Sequence, residues 1–135
     1  MASAAPYTIA HIDDIPTQPD EESATEWKPL RHYFHVGAFG VNLFRARNAG
    51  DPLTHVHSET DTGHEELFFV AQGEATFAVG SERVRAPAGT LVFVRDPSIE
   101  RGAWANEPGT ILLAVGGKPG EAYTVQQWEI DEFGD

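Results

Sequence analysis

Three of the six histidines fall within ten residues, in the run THVHSETDTGHEELFFV: His55, His57 and His64. His55 and His57 form an H-x-H pair. On an extended segment over 53–57, side chains two apart project from one face, roughly 7 Å from each other, so both imidazoles can converge on one ion. Glu66 opens the apolar run that follows and offers a carboxylate oxygen, and His64 shares its strand parity. Two histidines and one carboxylate leave coordination positions open. That arrangement suits non-haem Fe(II) and also Mn, Ni or Zn. Without an ion, the same residues are a polar loop in which His55 and His57 bond to water or to neighbouring acids. His32 and His35 lie three apart in RHYFHVG and would face opposite sides of a strand, and His11 sits in an N-terminal stretch. These three read as hydrogen-bonded structural residues.

The elements that must position this cluster read as short strands divided by turn residues. RHYFHV (31–36) and VNLFRAR (41–47) flank Gly37 and Gly40, and ELFFVAQ (66–72) and ATFAV (75–79) flank Gly73-Glu74 as a hairpin. ERVRA (82–86), TLVFV (90–94) and TILLAV (110–115) each follow a glycine-containing turn. Four- to seven-residue runs rich in Val, Phe, Thr and Leu predict an all-β barrel or sandwich. Closing the sheet into a barrel would remove most exposed edges. No 12-residue segment carries a 3.6 period, so no long helix is expected.

At 135 residues the chain is sized for one domain. Its net charge of −12 excludes the basic footprint that duplex nucleic acid requires, and disfavours anionic membrane surfaces. There is no spanning apolar run and no signal pattern at the N-terminus, so the expected location is cytoplasmic. Cysteine is absent, which removes disulfides, thiolate ligands and Cys nucleophiles. The acidity belongs to the ends. Asp13, Asp14, Asp20, Glu21, Glu22 and Glu26 face only Lys28 in residues 1–30, and Glu121, Glu129, Asp131, Glu132 and Asp135 have no base beside them in 121–135. The chain therefore divides into an acidic proline-containing arm (1–30), a barrel (31–120) and an acidic tail (121–135), both ends read as solvated. No G-x-S-x-G, G-x-G-x-x-G or Walker sequence occurs, so hydrolase triads and nucleotide cofactors are not expected.

The pattern resembles the cupin family, whose first motif runs H-x-H, a short spacer, Glu, six residues, Gly. Here it reads His55-x-His57, then an eight-residue spacer, Glu66, six residues and Gly73. The longer spacer implies an inserted loop, SETDTGHE. The second motif resembles 80–106, with Pro87-x-Gly89 before TLVFV, but the histidine normally four residues before Asn106 is replaced by Gly102, beside Arg101. The likeness spans 40–116 and implies a double-stranded β-helix, or jelly-roll, barrel. It implies His55, His57 and Glu66 as ligands to a divalent Fe, Mn, Ni or Zn ion, with His64 standing in for the missing one. Phe68 and Val70 share the parity of Glu66 and would line the interior. Arg101 would anchor a substrate carboxylate through its fork. The expected function is binding of a metal and a small organic metabolite, with dioxygenase or isomerase chemistry. The alternative is a metal-free small-molecule binder, favoured by the lost histidine. The resemblance also implies a homodimer, with residues 6–30 packing on a neighbour.

Overall fold

The computed structural model describes residues 5–19 and 23–135. Among the described residues nine strands form two antiparallel sheets. In chain order they are β1 (Glu26–Lys28), β2 (Gly40–Arg45), β3 (Pro52–His57), β4 (Glu65–Gln72), β5 (Glu74–Val79), β6 (Glu82–Pro87), β7 (Leu91–Val94), β8 (Arg101–Ala105) and β9 (Ile111–Gly117). One sheet runs β1-β2-β9-β4-β7 and the other β3-β8-β5-β6. Among the described residues two α-helices, α1 (Leu30–Phe34) and α2 (Gln127–Phe133), and a short 3-10 turn at Ile12–Asp14 complete the fold. No helix among the described residues is long and apolar enough to cross a membrane.

Alternation along the strands builds the core. On β4, Phe68 and Val70 turn inward and are buried, while Leu67 between them and Glu66 is exposed. Opposite them the second sheet contributes Ala75, Phe77, Ala103 and Ala105, all essentially without exposed surface. Phe68 and Phe77 meet edge to face across the sheets with ring centroids 5.4 Å apart, a geometry that aromatic quadrupoles favour. The β4–β5 hairpin turns at Gly73, whose φ of +74° and tight fit require glycine: a Cβ there would lie 2.5 Å from Thr110 Oγ1.

The inward row beyond this core is polar. Glu66 pairs with Gly116 of β9, and Arg101 pairs with both His57 of β3 and Val79 of β5. One end of the sandwich is therefore packed with hydrocarbon, and the other carries the charged side chains.

Residues 31–36 depart from the strand expected of them. Leu30–Phe34 is a helical turn, because Leu30, Tyr33 and Phe34 stand at the i, i+3, i+4 spacing that gives a helix one apolar face. That face packs with Val41, Leu43, Leu113 and Val115 on the outer side of the five-stranded sheet, where Ile15 joins it. The turn ends at His35, whose φ of 55° is left-handed and whose N–H caps the Arg31 and His32 carbonyls.

Neither end is simply solvated. Within 1–30, Trp27 and Lys28 belong to β1, hydrogen-bonded to β2, and the buried Lys28 ammonium donates to the Ile15 carbonyl at 2.8 Å. Within 121–135, Glu129 of α2 is 3% exposed and accepts from Arg31 Nε at 2.7 Å. Asp135 Oδ1 lies 2.7 Å from His32 Nδ1, and Asp135 Oδ2 lies 2.9 Å from His35 Nδ1. The solvated-tail expectation thus fails at Glu129 and Asp135, because Glu129 meets the buried Arg31 and Asp135 bonds His32 and His35.

Candidate functional site

His57 is placed by a break in strand regularity. Thr54 pairs with Ala103 and His57 with Arg101, so β3 takes three steps where β8 takes two. The extra residue is a bulge, which re-aims the side chains on either side of it. Val56 lies on the bulge directly over Gly102, where a Cβ would come within 2.9 Å of Val56 Cγ2 and 3.2 Å of its Cα. Glycine at 102 is what allows that close approach.

The bulge separates the H-x-H pair. His55 is exposed on the flank of β3, while His57 turns toward the cup. The His55 contribution is instead its carbonyl, 2.8 Å from His57 Nδ1. With Nδ1–H donated there, the other ring nitrogen is left facing two carboxylates. His57 Nε2 lies 3.2 Å from Glu59 Oε2 and 3.6 Å from Glu66 Oε1. One ligand atom from each of His57, Glu59 and Glu66 fits within a mutual distance of 4.8 Å.

Glu59 is the residue that sequence reasoning missed as a ligand. It sits two residues after His57 in the inserted loop, and Thr62 Oγ1 donates to its Oε1 at 3.1 Å. His64 stands behind it, buried, with Nδ1 3.9 Å from Glu59 Oε1 and Nε2 accepting from Gln126 Nε2 at 3.3 Å. An acid so close to His57, within the same insertion, was the available signal.

Arg101 has no exposed surface. Its Nη1 donates to Glu66 Oε1 at 2.8 Å, Nε to the Ile99 carbonyl at 2.9 Å, and Nη2 to the Asp96 carbonyl at 3.3 Å. It anchors Glu66 rather than presenting an open fork to a substrate. Phe68 and Val70 belong to the packed core and line none of the cavities described below. Asn106 holds Thr76 and Glu74 at 2.8 Å each, in the four-stranded sheet.

The electrostatics follow from this crowding. Hydrogen bonds to Glu59 and then Glu66 lift the His57 imidazole to about 10, against 6.5 ordinarily. Burial pushes Glu59 upward, but its hydrogen bond and charge interaction with His57 outweigh that and leave it below the usual carboxylate value. A proton on His57 between two carboxylates occupies the place that a cation would take, and metal binding releases such protons. The Nδ1–H bond to a backbone carbonyl is also the support that fixes tautomer and ring orientation in metal-ligating histidines. One imidazole and two carboxylates therefore fit a divalent first-row ion. Arg101 offsets part of the negative charge from behind Glu66.

Two cavities flank the cluster. A polar one of about 80 Å³ touches Glu59, His64 and Glu66 and is covered by Tyr123, Gln126 and Trp128. Burial, with the nearby Glu129 charge, raises the Tyr123 hydroxyl to about 12. The other, of about 390 Å³, opens between β1–β2 and β3.

Two antiparallel sheets closed around an inward His–Glu cluster at one end define a cupin fold. Solved structures bear this out. The chain is similar to KdgF from Halomonas sp. (19% identity, 81% of this chain and 93% of that one, TM-score 0.63). It is also similar to a predicted oxalate decarboxylase from Thermotoga maritima (17%, 81% and 97%, TM-score 0.66), and to an RmlC-like cupin from Shewanella frigidimarina (15%, 90% and 96%, TM-score 0.65). No family model matches the sequence, and no curated protein matches it.

Proposed function

We propose that this chain is a metal-dependent cupin, holding a divalent Fe, Mn, Ni or Zn ion through His57, Glu59 and Glu66 and acting on a small organic molecule beside it. One observation carries the reading: a histidine fixed at Nδ1 by a backbone carbonyl turns Nε2 toward two carboxylates, with all three donors within 4.8 Å. The bound ion supplies Lewis-acid polarisation of a carbonyl or hydroxyl, or oxygen activation if it is Fe(II). Arg101 holds Glu66 in place, Thr62 holds Glu59, and His64 backs Glu59 where it can pass a proton to or from that carboxylate. Dioxygenase and isomerase chemistry are both within reach of this donor set.

The test is metal analysis and Mn(II) titration calorimetry on untagged protein that has been stripped and reloaded. Near-stoichiometric uptake is expected in the wild type and in H55A, with at least tenfold weaker binding in H57A and in E66Q. Uptake that stays far below one ion per chain across all four metals, or that survives both substitutions, overturns the reading.

A second reading has its own support. The buried Arg101–Glu66 pair and a protonated His57 already balance both carboxylates, as in a metal-free binder of a neutral molecule. Ligand binding that persists in chelator, together with failure to load metal, selects it.

A further inference from the structure

The room beside the cluster lies at the seam between the sheets. The barrel interior below Glu66 is filled by Phe68, Val70 and Phe77, and the mouth above it is covered by Tyr123, Gln126 and Trp128. The 390 Å³ cavity between β1–β2 and β3 is walled by Pro19, Trp27, Phe44 and Leu53, with His55 and His57 at one side. This volume lies in the range of small-molecule sites, which are mostly apolar with few polar groups.

The polar atoms along this wall are turned into the protein. Trp27 Nε1 donates to Asn42 Oδ1 at 2.9 Å, Thr25 Oγ1 to the Pro52 carbonyl at 2.5 Å, and Thr54 Oγ1 to the His55 carbonyl at 3.1 Å. Trp27, Phe44 and Leu53 turn ring faces and methyl groups to the cavity, with the His55 and His57 rings at its edge. The Trp27 ring is itself held in a tilted aromatic cluster, 5.7 Å from Trp128 and 6.1 Å from Phe133. Among the described residues no lysine or arginine lines the cavity, and the proton held beside it on His57 is already faced by Glu59 and Glu66, so a carboxylate or phosphate would be desolvated there against a charge that is already paired.

His57 is the partition. One side of its ring belongs to the apolar cavity, and its Nε2 is directed at Glu59 and Glu66. From this placement we infer that the seam cavity is a ligand pocket that takes a neutral, planar aromatic molecule, seated against the Trp27 and Phe44 rings with its edge on the His57 ring, whose two nitrogens are already engaged on the other side. The inference goes beyond the metal-dependent reading and does not rest on it, because the cavity and the two carboxylates lie on opposite sides of the His57 ring.

The probe is 1-naphthol, with glucose as the polar comparator, followed by calorimetry and by intermolecular NOEs on the full chain. Wild type should bind 1-naphthol and not glucose, with NOEs to the Trp27 indole and Leu53 methyls. H55W, a change at an exposed position outside the cluster that fills the cavity from β3, should weaken binding at least tenfold and leave Mn(II) uptake unchanged. No 1-naphthol binding at millimolar concentration, NOEs to other residues, or H55W binding equal to wild type overturns the pocket. Metal uptake with no 1-naphthol binding sinks the pocket and spares the metal. Naphthol bound with the stated NOEs by protein that takes up no metal supports the pocket and sinks the metal reading.

Discussion

Arg101→Met tests how the charged end of the barrel is held together. The side chain has no exposed surface and donates to Glu66, Ile99 and Asp96. Methionine keeps much of the volume and removes the charge, so Glu66, only 16% exposed at its side chain, loses its nearest cation. Breaking a buried ion pair from one side costs about 3–5 kcal/mol. His57 still faces the same Glu66 oxygen at 3.6 Å, which places the expected loss at the lower end, about 3 kcal/mol. For a chain of this size that lowers Tm by roughly 10–15 °C. If the loss comes from the stranded carboxylate, removing that charge as well should recover part of it. Arg101→Met/Glu66→Gln should then be more stable than Arg101→Met alone by about 1–2 kcal/mol. Urea unfolding of both variants in chelator, followed by tryptophan fluorescence, measures the difference. A loss under about 1 kcal/mol in the single variant, or a double variant no better than the single, would refute the reasoning.

In metal-free protein the His57 proton is held to about 10 instead of 6.5, so its stabilisation is complete below pH 6.5 and fades as pH climbs toward 10. An NMR titration should find that high midpoint, and Glu59→Gln should bring it down; an unmoved midpoint contradicts the assigned cause. Gly73→Ala puts a methyl 2.5 Å from Thr110 Oγ1 at a φ of +74°, and should cost on the order of 2 kcal/mol in denaturant unfolding. Arg31→Met strands Glu129, so amide exchange in α2 should accelerate at least tenfold while β4 and β9 stay protected. Equal acceleration in both would mean that α2 is not held separately.

The strands rich in Val, Phe and Leu between turn residues were legible in the sequence. ELFFVAQ and TILLAV, bounded by glycine turns, match the ends of β4 and β9 to within two residues. Arg101–Ala105 was not read as a strand, because RGAWA offers little β-propensity; its alanines make room for Phe77 and Phe68 in the core. RHYFHV is aromatic enough to suggest a strand, but Leu30, Tyr33 and Phe34 carry a helical spacing, and their contacts with the outer sheet face hold the helical turn. At the site, His57 and Glu66 were legible and the partnership with Glu59 was not. The side-chain period of two places His55 beside His57, and a single bulge residue cancels it. The fit of Val56 over Gly102 that accompanies the bulge joins segments some 46 residues apart, and no local pattern encodes such a contact.

The bond between Arg31 and Glu129 joins positions 98 residues apart. Contacts that distant carry a large loop-closure cost and form late. During synthesis, the nine strands described precede α2 on the chain, so the barrel can close while its mouth is still open to solvent. The cover of Tyr123, Gln126 and Trp128 is then laid over a vessel that already exists, and the polar chamber beneath it is the last part of the barrel to be shut off from water.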